Sequence, residues 1–137
     1  ESQPTLPSGR SYRDYDQTTF GVDAGYAHGH WQLWGELMTS RFEVPNVGGG
    51  RVVSGFIEAK RKLGAMTWLA ARWNQSWFGD IPGTSREWDR DGWRLDLALG
   101  HRLSRNLQAK LQYSLAERTG RDQEGDHLLA AQMTIRF

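Results

Sequence analysis

The sequence predicts an all-β protein, specifically an antiparallel transmembrane β-barrel with seven or eight strands in this chain. Three observations indicate this class. Apolar and polar residues alternate over segments of about ten residues, the length that a tilted strand needs to cross a bilayer. Short and long connections alternate between these segments. The 137 residues also include seven Trp and sixteen Gly but only four Pro, which suits strands whose aromatic side chains lie in an amphipathic environment.

Composition and charge exclude several other classes. With 24% charged residues and a formal net charge of +1, the chain is neither a long disordered segment nor a polybasic arm, so no nucleic-acid partner is expected. It contains no cysteine, which excludes disulfide scaffolds and thiolate zinc sites. The mean hydropathy of -0.67 is compatible with a transmembrane barrel, because only alternate residues of each strand face lipid.

Period-two alternation is clearest at the C-terminus, where residues 127–137 place one mostly apolar face opposite a mixed one. Six further segments have the same design. The seven predicted strands lie near residues 20–27, 31–38, 54–60, 67–77, 93–100, 107–116 and 127–137. Tight connections at 28–30, 62–65 and 102–106 alternate with longer polar ones at 45–51, 79–92 and 118–126. This sorting is typical of outer-membrane barrels, whose short turns face the periplasm.

Charged residues of the predicted strands fall together on one face. The nine predicted lumen-facing residues are Asp23, Glu36, Glu58, Lys60, Arg72, Arg94, Asp96, Lys110 and Arg136. A soluble barrel would turn such residues outward and fill its interior with branched aliphatic side chains. Since this face carries too little apolar volume for a dry core, we expect it to face inward and the apolar face to contact lipid. Trp31, Trp73, Trp77, Trp93 and Tyr113 are expected near strand ends as interfacial girdles.

The C-terminal segment resembles the closing strand of Gram-negative outer-membrane β-barrel proteins, and specifically of porin-type barrels. The resemblance covers residues from about 18 to 137, including a periplasmic-type turn at 100–107 and a porin-like strand start at 31–36. It implies that the last strand closes the barrel and carries the signal read by the barrel-assembly machinery. The residues of that signal are Leu129, Ala131, Met133, Ile135 and Phe137. Porins of this type are, however, much longer than this chain.

Strand parity bears on how the barrel is completed. Seven strands ending in the periplasm would start outside the cell, whereas bacterial single-chain barrels have an even number of strands. Either residues 10–17 form a short eighth strand, or residues 1–17 are an extracellular loop and earlier strands lie on a companion chain. Pro4, Pro7 and Gly9 favour the loop. We therefore expect residues 18–137 to be strands of a larger barrel.

These features predict an outer-membrane channel for passive diffusion of small hydrophilic solutes, surrounded by lipid and lipopolysaccharide. The alternative is an outer-membrane scaffold or binding barrel that anchors or encloses a partner protein without open-pore transport. A soluble β-meander is a third possibility, which the apolar alternate positions disfavour. The basic residues of the inner face form either an anion-attracting wall or, with the acidic ones, a network of ion pairs. The sequence specifies neither the solute nor the oligomeric state.

Candidate chemical sites outside that face are weak, and we expect no enzyme, no cofactor and no metal. His28 and His30 have a spacing that could present two imidazoles, but they lie beside Gly29 on a predicted turn without a third ligand. The acidic loop 122–126 lacks the twelve-residue calcium pattern. Residues 86–91 contain Arg and Asp side chains that either contact lipopolysaccharide phosphates or are ordinary hydrophilic loop residues. No Gly-x-Ser-x-Gly sequence is present, and His101, predicted in a turn, has no evident Ser partner.

Overall fold

The chain forms one antiparallel sheet whose strands follow one another in sequence order. The computed structural model describes residues 15–44, 48–81, 89–119 and 125–136. The strands are β1 (Gln17–His28), β2 (Trp31–Val44), β3 (Gly48–Lys62), β4 (Thr67–Phe78), β5 (Gly92–Arg102), β6 (Leu107–Arg118) and β7 (Asp126–Ile135). The predictions of an all-β fold and of seven antiparallel strands are therefore confirmed. Period-two alternation had indicated each of them.

The sheet has two open edges within the described part of the chain. β1 pairs only with β2 and β7 only with β6, so these seven strands do not close into a barrel by themselves. Gln17, expected in an eighth strand or a loop, begins β1 instead. Residues 15 and 16 are described and precede β1. The other residues of that prediction, 1–14, lie outside the described residues.

The three tight connections lie at one end of the strands, called here the turn edge, because the meander reverses direction at every connection. β1 and β2 are joined by Gly29 and His30 alone, and Gly29 has a φ of 56°, which a glycine adopts without steric cost. The other two connections at this edge are turns of four residues, 63–66 and 103–106. In them the amide N–H groups of Leu63 and Leu103 donate to the carbonyls of Thr67 and Leu107, both at 2.9 Å.

The opposite end, called here the loop edge, carries the other three connections, at 45–47, 79–91 and 119–125. Only the last two are longer than the four-residue turns, so the predicted alternation of short and long connections is wrong between β2 and β3. The sequence placed Gly48, Gly49 and Gly50 in a loop, and this was wrong, because β3 starts at Gly48 and pairs through all three with β2. A Gly triplet is normally a loop signal, yet the facing residues of β2 extend the ladder to Val44. His101 was likewise expected in a turn but lies in β5, opposite Thr67 of β4.

The register assigns every strand residue to one of two faces, since directly opposed residues of an antiparallel pair point to the same side. Neither face is covered by a second layer among the described residues. The only buried hydrophobic residue there is Ala98, whereas Ile57 and Leu129 are 69% and 70% exposed. The sheet is thus a single amphipathic layer, and the two faces have to be considered separately.

Candidate functional site: the polar face

One face of the sheet carries all nine residues that the sequence grouped as lumen-facing, and it is called here the polar face. The register pairs Asp23 with Glu36 across β1 and β2, and it pairs Arg72 with both Glu58 and Asp96. The parity of each strand places Lys60, Arg94 and Lys110 on the same side, while Arg136 directly follows β7. That these residues share a face is a result of the structure. That the face lines a lumen stays a prediction.

Asp96 is the centre of a hydrogen-bond network in the middle of this face. Its residue exposure is only 8%, so its carboxylate needs donors to offset the loss of water. The two oxygens accept from Arg94 Nε at 3.1 Å, Asn74 Nδ2 at 3.0 Å and Gln112 Nε2 at 3.5 Å. Gln112 Nε2 also donates to Ser114 Oγ at 3.1 Å. Four strand residues on three strands are thereby held around one carboxylate.

A second ion pair lies next to this network. Arg72 reaches Glu58 Oε2 with Nε and with Nη2, each at 2.8 Å, and its guanidinium lies 4.3 Å from the centre of the Phe56 ring. Of the two alternatives for the charged face, an anion-attracting wall or a network of ion pairs, the centre of the polar face has the ion pairs. Two arginines there pair with two carboxylates. Lys60 and Lys110 take part in no ion pair within the described residues, so the anion-attracting alternative stays open for them.

Two tryptophans lie on the polar face and cover glycines on the neighbouring strand. Trp34 is opposite Gly25, and Trp68 is opposite Gly100. A Cβ added to Gly100 would overlap Cε2 of Trp68, so the ring lies over the backbone of β5. Lys60 Nζ lies 4.5 Å from the centre of the Trp68 ring, a cation–π arrangement. Facing glycines in the paired strands were the sequence signal for these ring positions.

Substituting Gly100 with Ala should displace the Trp68 ring from β5. The added methyl group occupies the space of the indole, and the expected cost is about 1 kcal/mol or more for an overpacked site. Near-UV circular dichroism should change together with the free energy of unfolding. Gly64→Ala is the matched control, because a Cβ at this turn position has nothing within 4 Å. Equal spectra and equal stability for both variants would contradict the ring position.

The polar face is less uniformly polar than the sequence indicated. Near the loop edge, the register adds apolar side chains of β2, β3 and β4 to this face, and the residues concerned are Met38, Phe42, Val52, Phe56 and Phe78. The expectation that this face carries little apolar volume therefore holds for β5 and β6 but not for this corner. Alternation alone did not show that these residues are neighbours, since that depends on strand register.

The opposite face, called here the apolar face, presents large hydrophobic side chains to the surroundings. Val22, Leu37, Leu97, Leu111 and Leu129 are between 42% and 70% exposed. These residues come from five different strands, and all lie on the side away from Asp96. An uncovered apolar surface of this extent marks an interaction surface rather than ordinary protein exterior.

Aromatic side chains mark part of the apolar face, but only some lie near strand ends. Trp31 begins β2 with the Arg61 guanidinium 5.2 Å from its ring centre, and Trp77 lies next to the end of β4. Trp73 and Tyr113 were expected toward strand ends but lie near the middle of β4 and β6. Stacking explains one of them, because the rings of Trp73 and Trp93 lie 4.7 Å apart at an interplanar angle of 9°.

The residues of the predicted assembly signal that can be placed share the apolar face. Leu129, Ala131, Met133 and Ile135 pair with apolar-face residues of β6, and Phe137 lies outside the described residues. Their placement follows from the period-two pattern of β7. Whether the assembly machinery reads them stays a prediction.

Histidine and loop candidates do not form a metal site in the part of the chain that the structure describes. No group of three or more His, Asp or Glu side chains there could hold a metal ion. His28 ends β1 rather than lying in the turn, and His101 Nδ1 lies 2.8 Å from Thr67 Oγ1. The acidic residues Asp122 and Glu124 lie outside the described residues.

The loop before β5 has carboxylates that bind backbone. Asp91 Oδ1 accepts from the amide N–H of Phe78 at 2.7 Å, and Asp89 Oδ1 accepts from that of Arg90 at 2.8 Å. The Asp89 bond is local turn chemistry, whereas the Asp91 bond joins this loop to the end of β4. Arg86 lies outside the described residues, and lipopolysaccharide contact by this loop stays a prediction.

Fold and site together define the chain as an open antiparallel β-meander with one apolar and one polar face. No protein family, curated protein or solved structure matches it. Within the described ranges, no helix has both the length and the apolar character needed to span a bilayer.

Proposed function

We propose that this chain forms part of the wall of a porin-like outer-membrane β-barrel, through which small hydrophilic solutes diffuse passively. One observation carries the proposal: the strands expose large apolar side chains on one face and hold a charged hydrogen-bond network on the other. In a transmembrane barrel the first face contacts lipid and the second lines the interior. The hydrophobic side chains then gain a hydrocarbon environment without a second protein layer.

The strand lengths support a membrane span. The seven strands contain 10 to 15 residues, and about 9 to 11 residues suffice for a tilted strand to cross the hydrocarbon. The mid-strand positions of the apolar face carry no charged residue between Leu95 and Leu99 of β5 or between Leu107 and Leu115 of β6. The charged residues of this face all lie among the four residues at a strand end, where a span would meet water, and they are Arg41, Glu43, Arg51, Arg61 and Glu117.

The open edges of β1 and β7 support assembly with further strands. A sheet edge in hydrocarbon leaves N–H and C=O groups without partners, at a cost of several kcal/mol each. Closure therefore requires strands that pair with β1 and β7, supplied by residues before Gln17, by a companion chain or by another copy. We also propose that the barrel-assembly machinery recognises the apolar positions of β7. Outer-membrane lipid and lipopolysaccharide are the neighbours that this location implies.

Planar-bilayer recording tests the channel. The assembled protein in lipid should give discrete conductance steps above background, because a water-filled interior lined by charged side chains conducts salt. The same preparation without protein is the control. If correctly inserted protein gives no conductance, it is not an open channel.

A scaffold or binding barrel is the second candidate, and two observations favour it. The central arginines are paired with carboxylates, and the Met38 and Phe56 corner adds apolar volume to the polar face. Such contacts are suited to an interior filled by side chains, as in a barrel of about eight strands. A projection map of the assembled protein in detergent distinguishes the two. A narrow ring favours the scaffold, and a wide ring with a lumen favours the channel.

A further inference from the structure

The cations of the polar face are distributed unevenly along the strands. Toward the turn edge this face carries five basic residues, namely Lys60, Lys62, Arg102, Lys110 and Arg136. No Asp or Glu occurs in the adjoining segments 26–33, 59–70, 99–110 and 131–136. The carboxylates of the polar face begin deeper, at Glu36, Glu58 and Asp96, and others lie at the loop edge. One end of the face therefore has a purely positive formal charge.

These cations lie around two adjoining cavities that share Lys60 and Trp68. The outer cavity, at the turn edge, has a volume of about 580 Å³ and is lined by Lys60, Lys62 and Arg102 without any carboxylate. The inner cavity of about 330 Å³ continues toward Arg94 and Asp96 and is also lined by Lys110. Lys60 and Trp68 line both cavities, so they lie where the outer cavity adjoins the inner one.

The turn-edge cations differ from the central arginines in having no ion-pair partner. Among the described residues, Arg72 and Arg94 pair with Glu58 and Asp96, whereas Lys62, Arg102 and Lys110 form no ion pair. Lys62 and Arg102 are also exposed, so their charge remains accessible. Unpaired cations in a concave site attract anions and raise their local concentration.

We propose that the turn edge of the polar face is a binding site for small hydrophilic anions and makes the channel anion-selective. This inference rests on the proposed channel and names its solute class. Lys62 and Arg102 attract the anion at the outer cavity. Lys60, held over Trp68, passes it to Lys110. Lipid phosphate is the less suitable ligand, because these four cations lie on the polar face. At the turn edge, the basic strand residue on the apolar face is Arg61.

Reversal potentials in planar bilayers under a KCl gradient test the selectivity. The native protein should prefer chloride over potassium by roughly threefold or more, because rings of one charge sign set pore selectivity. The triple substitution Lys60→Gln, Lys62→Gln, Arg102→Gln, called here the turn-edge variant, should lower this ratio to about one. The variant Arg41→Gln, Arg51→Gln, Arg118→Gln removes the same number of charges near the loop edge, two of them (Arg41 and Arg51) from the apolar face, and should retain the preference. Circular dichroism should show equal β-structure in all three proteins.

The outcomes separate this inference from the channel itself. Conductance without chloride preference, or an unchanged ratio in the turn-edge variant, overturns the anion site and leaves the channel intact. If that variant keeps its selectivity but loses affinity for vesicles containing phosphatidylglycerol, the cations contact lipid and the inference is wrong. An absence of conductance removes the channel, and the anion site is then decided by fluorescence.

Iodide quenching of Trp68 supplies that second measurement. Iodide attracted to Lys60 should quench a component of tryptophan fluorescence that is absent in Trp68→Phe and reduced in the turn-edge variant. Neutral acrylamide should quench the native protein and the turn-edge variant equally, since its access does not depend on charge. Equal iodide quenching in the native protein and the turn-edge variant contradicts anion binding at this site.

Discussion

Leu97→Arg is expected to impair membrane insertion of the chain. Leu97 lies near the middle of β5 on the apolar face and is 42% exposed, so in the proposed barrel its side chain meets hydrocarbon near the bilayer centre. An arginine on the lipid face costs about 2 to 4 kcal/mol near the midplane. Folding into lipid vesicles, followed by urea titration, measures this loss.

Gln132→Arg is the matched control for that substitution. Gln132 lies on β7 opposite Lys110, is exposed on the polar face and takes no part in the Asp96 network. The same side chain introduced there should insert normally, because it faces the charged interior. A second apolar-face variant, Leu111→Arg, should behave like Leu97→Arg. Equal tolerance of arginine on the two faces would contradict the face assignment.

Asp96→Ala is expected to give the second large effect, a destabilisation of about 1 to 3 kcal/mol. The substitution leaves Arg94, Asn74 and Gln112 without their shared acceptor in a site where Asp96 is only 8% exposed. The free energy of unfolding from urea titration in lipid vesicles checks this value.

Asp126→Ala is the control for the network. Asp126 starts β7, is exposed and forms no ion pair within the described residues, so its loss should change stability by less than about 0.5 kcal/mol. If Asp96→Ala and Asp126→Ala have equal stabilities, Asp96 does not organise the polar face.

Arg94→Gln should retain part of the hydrogen bonding to Asp96 and should alter ion selectivity more than stability.

Alternation in the sequence predicted the strands because each one has a polar and an apolar side. The apolar side chains of β6 occupy every second position, which fits a period of two, and they are Leu107, Ala109, Leu111, Tyr113 and Leu115. The Gly48–Gly50 segment escaped this reasoning, since glycine has no side chain to show a period. Its strand conformation depends on pairing with β2, which is a tertiary contact.

The composition of the polar face was predictable, but its pairing was not. Period two assigns Glu58 and Arg72 to one side without indicating that they meet, because one residue of register shift would change every opposed pair. The same limit applies to the Trp68 ring over Gly100 and to the lack of an ion pair at Lys60 among the described residues. Register depends on the four-residue turns at Leu63 and Leu103, whose closure appears only in three dimensions.

Contact between the apolar face and hydrocarbon can be measured with a nitroxide scan in lipid vesicles. The chain contains no cysteine, so single cysteines at positions 107 to 115 of β6 can be labelled one at a time. Oxygen, which concentrates in the bilayer, should relax labels at Leu107, Ala109, Leu111, Tyr113 and Leu115. A water-soluble nickel reagent should relax those between them. Equal accessibility along the strand, or nickel access at the leucine positions, would show that this face does not meet lipid.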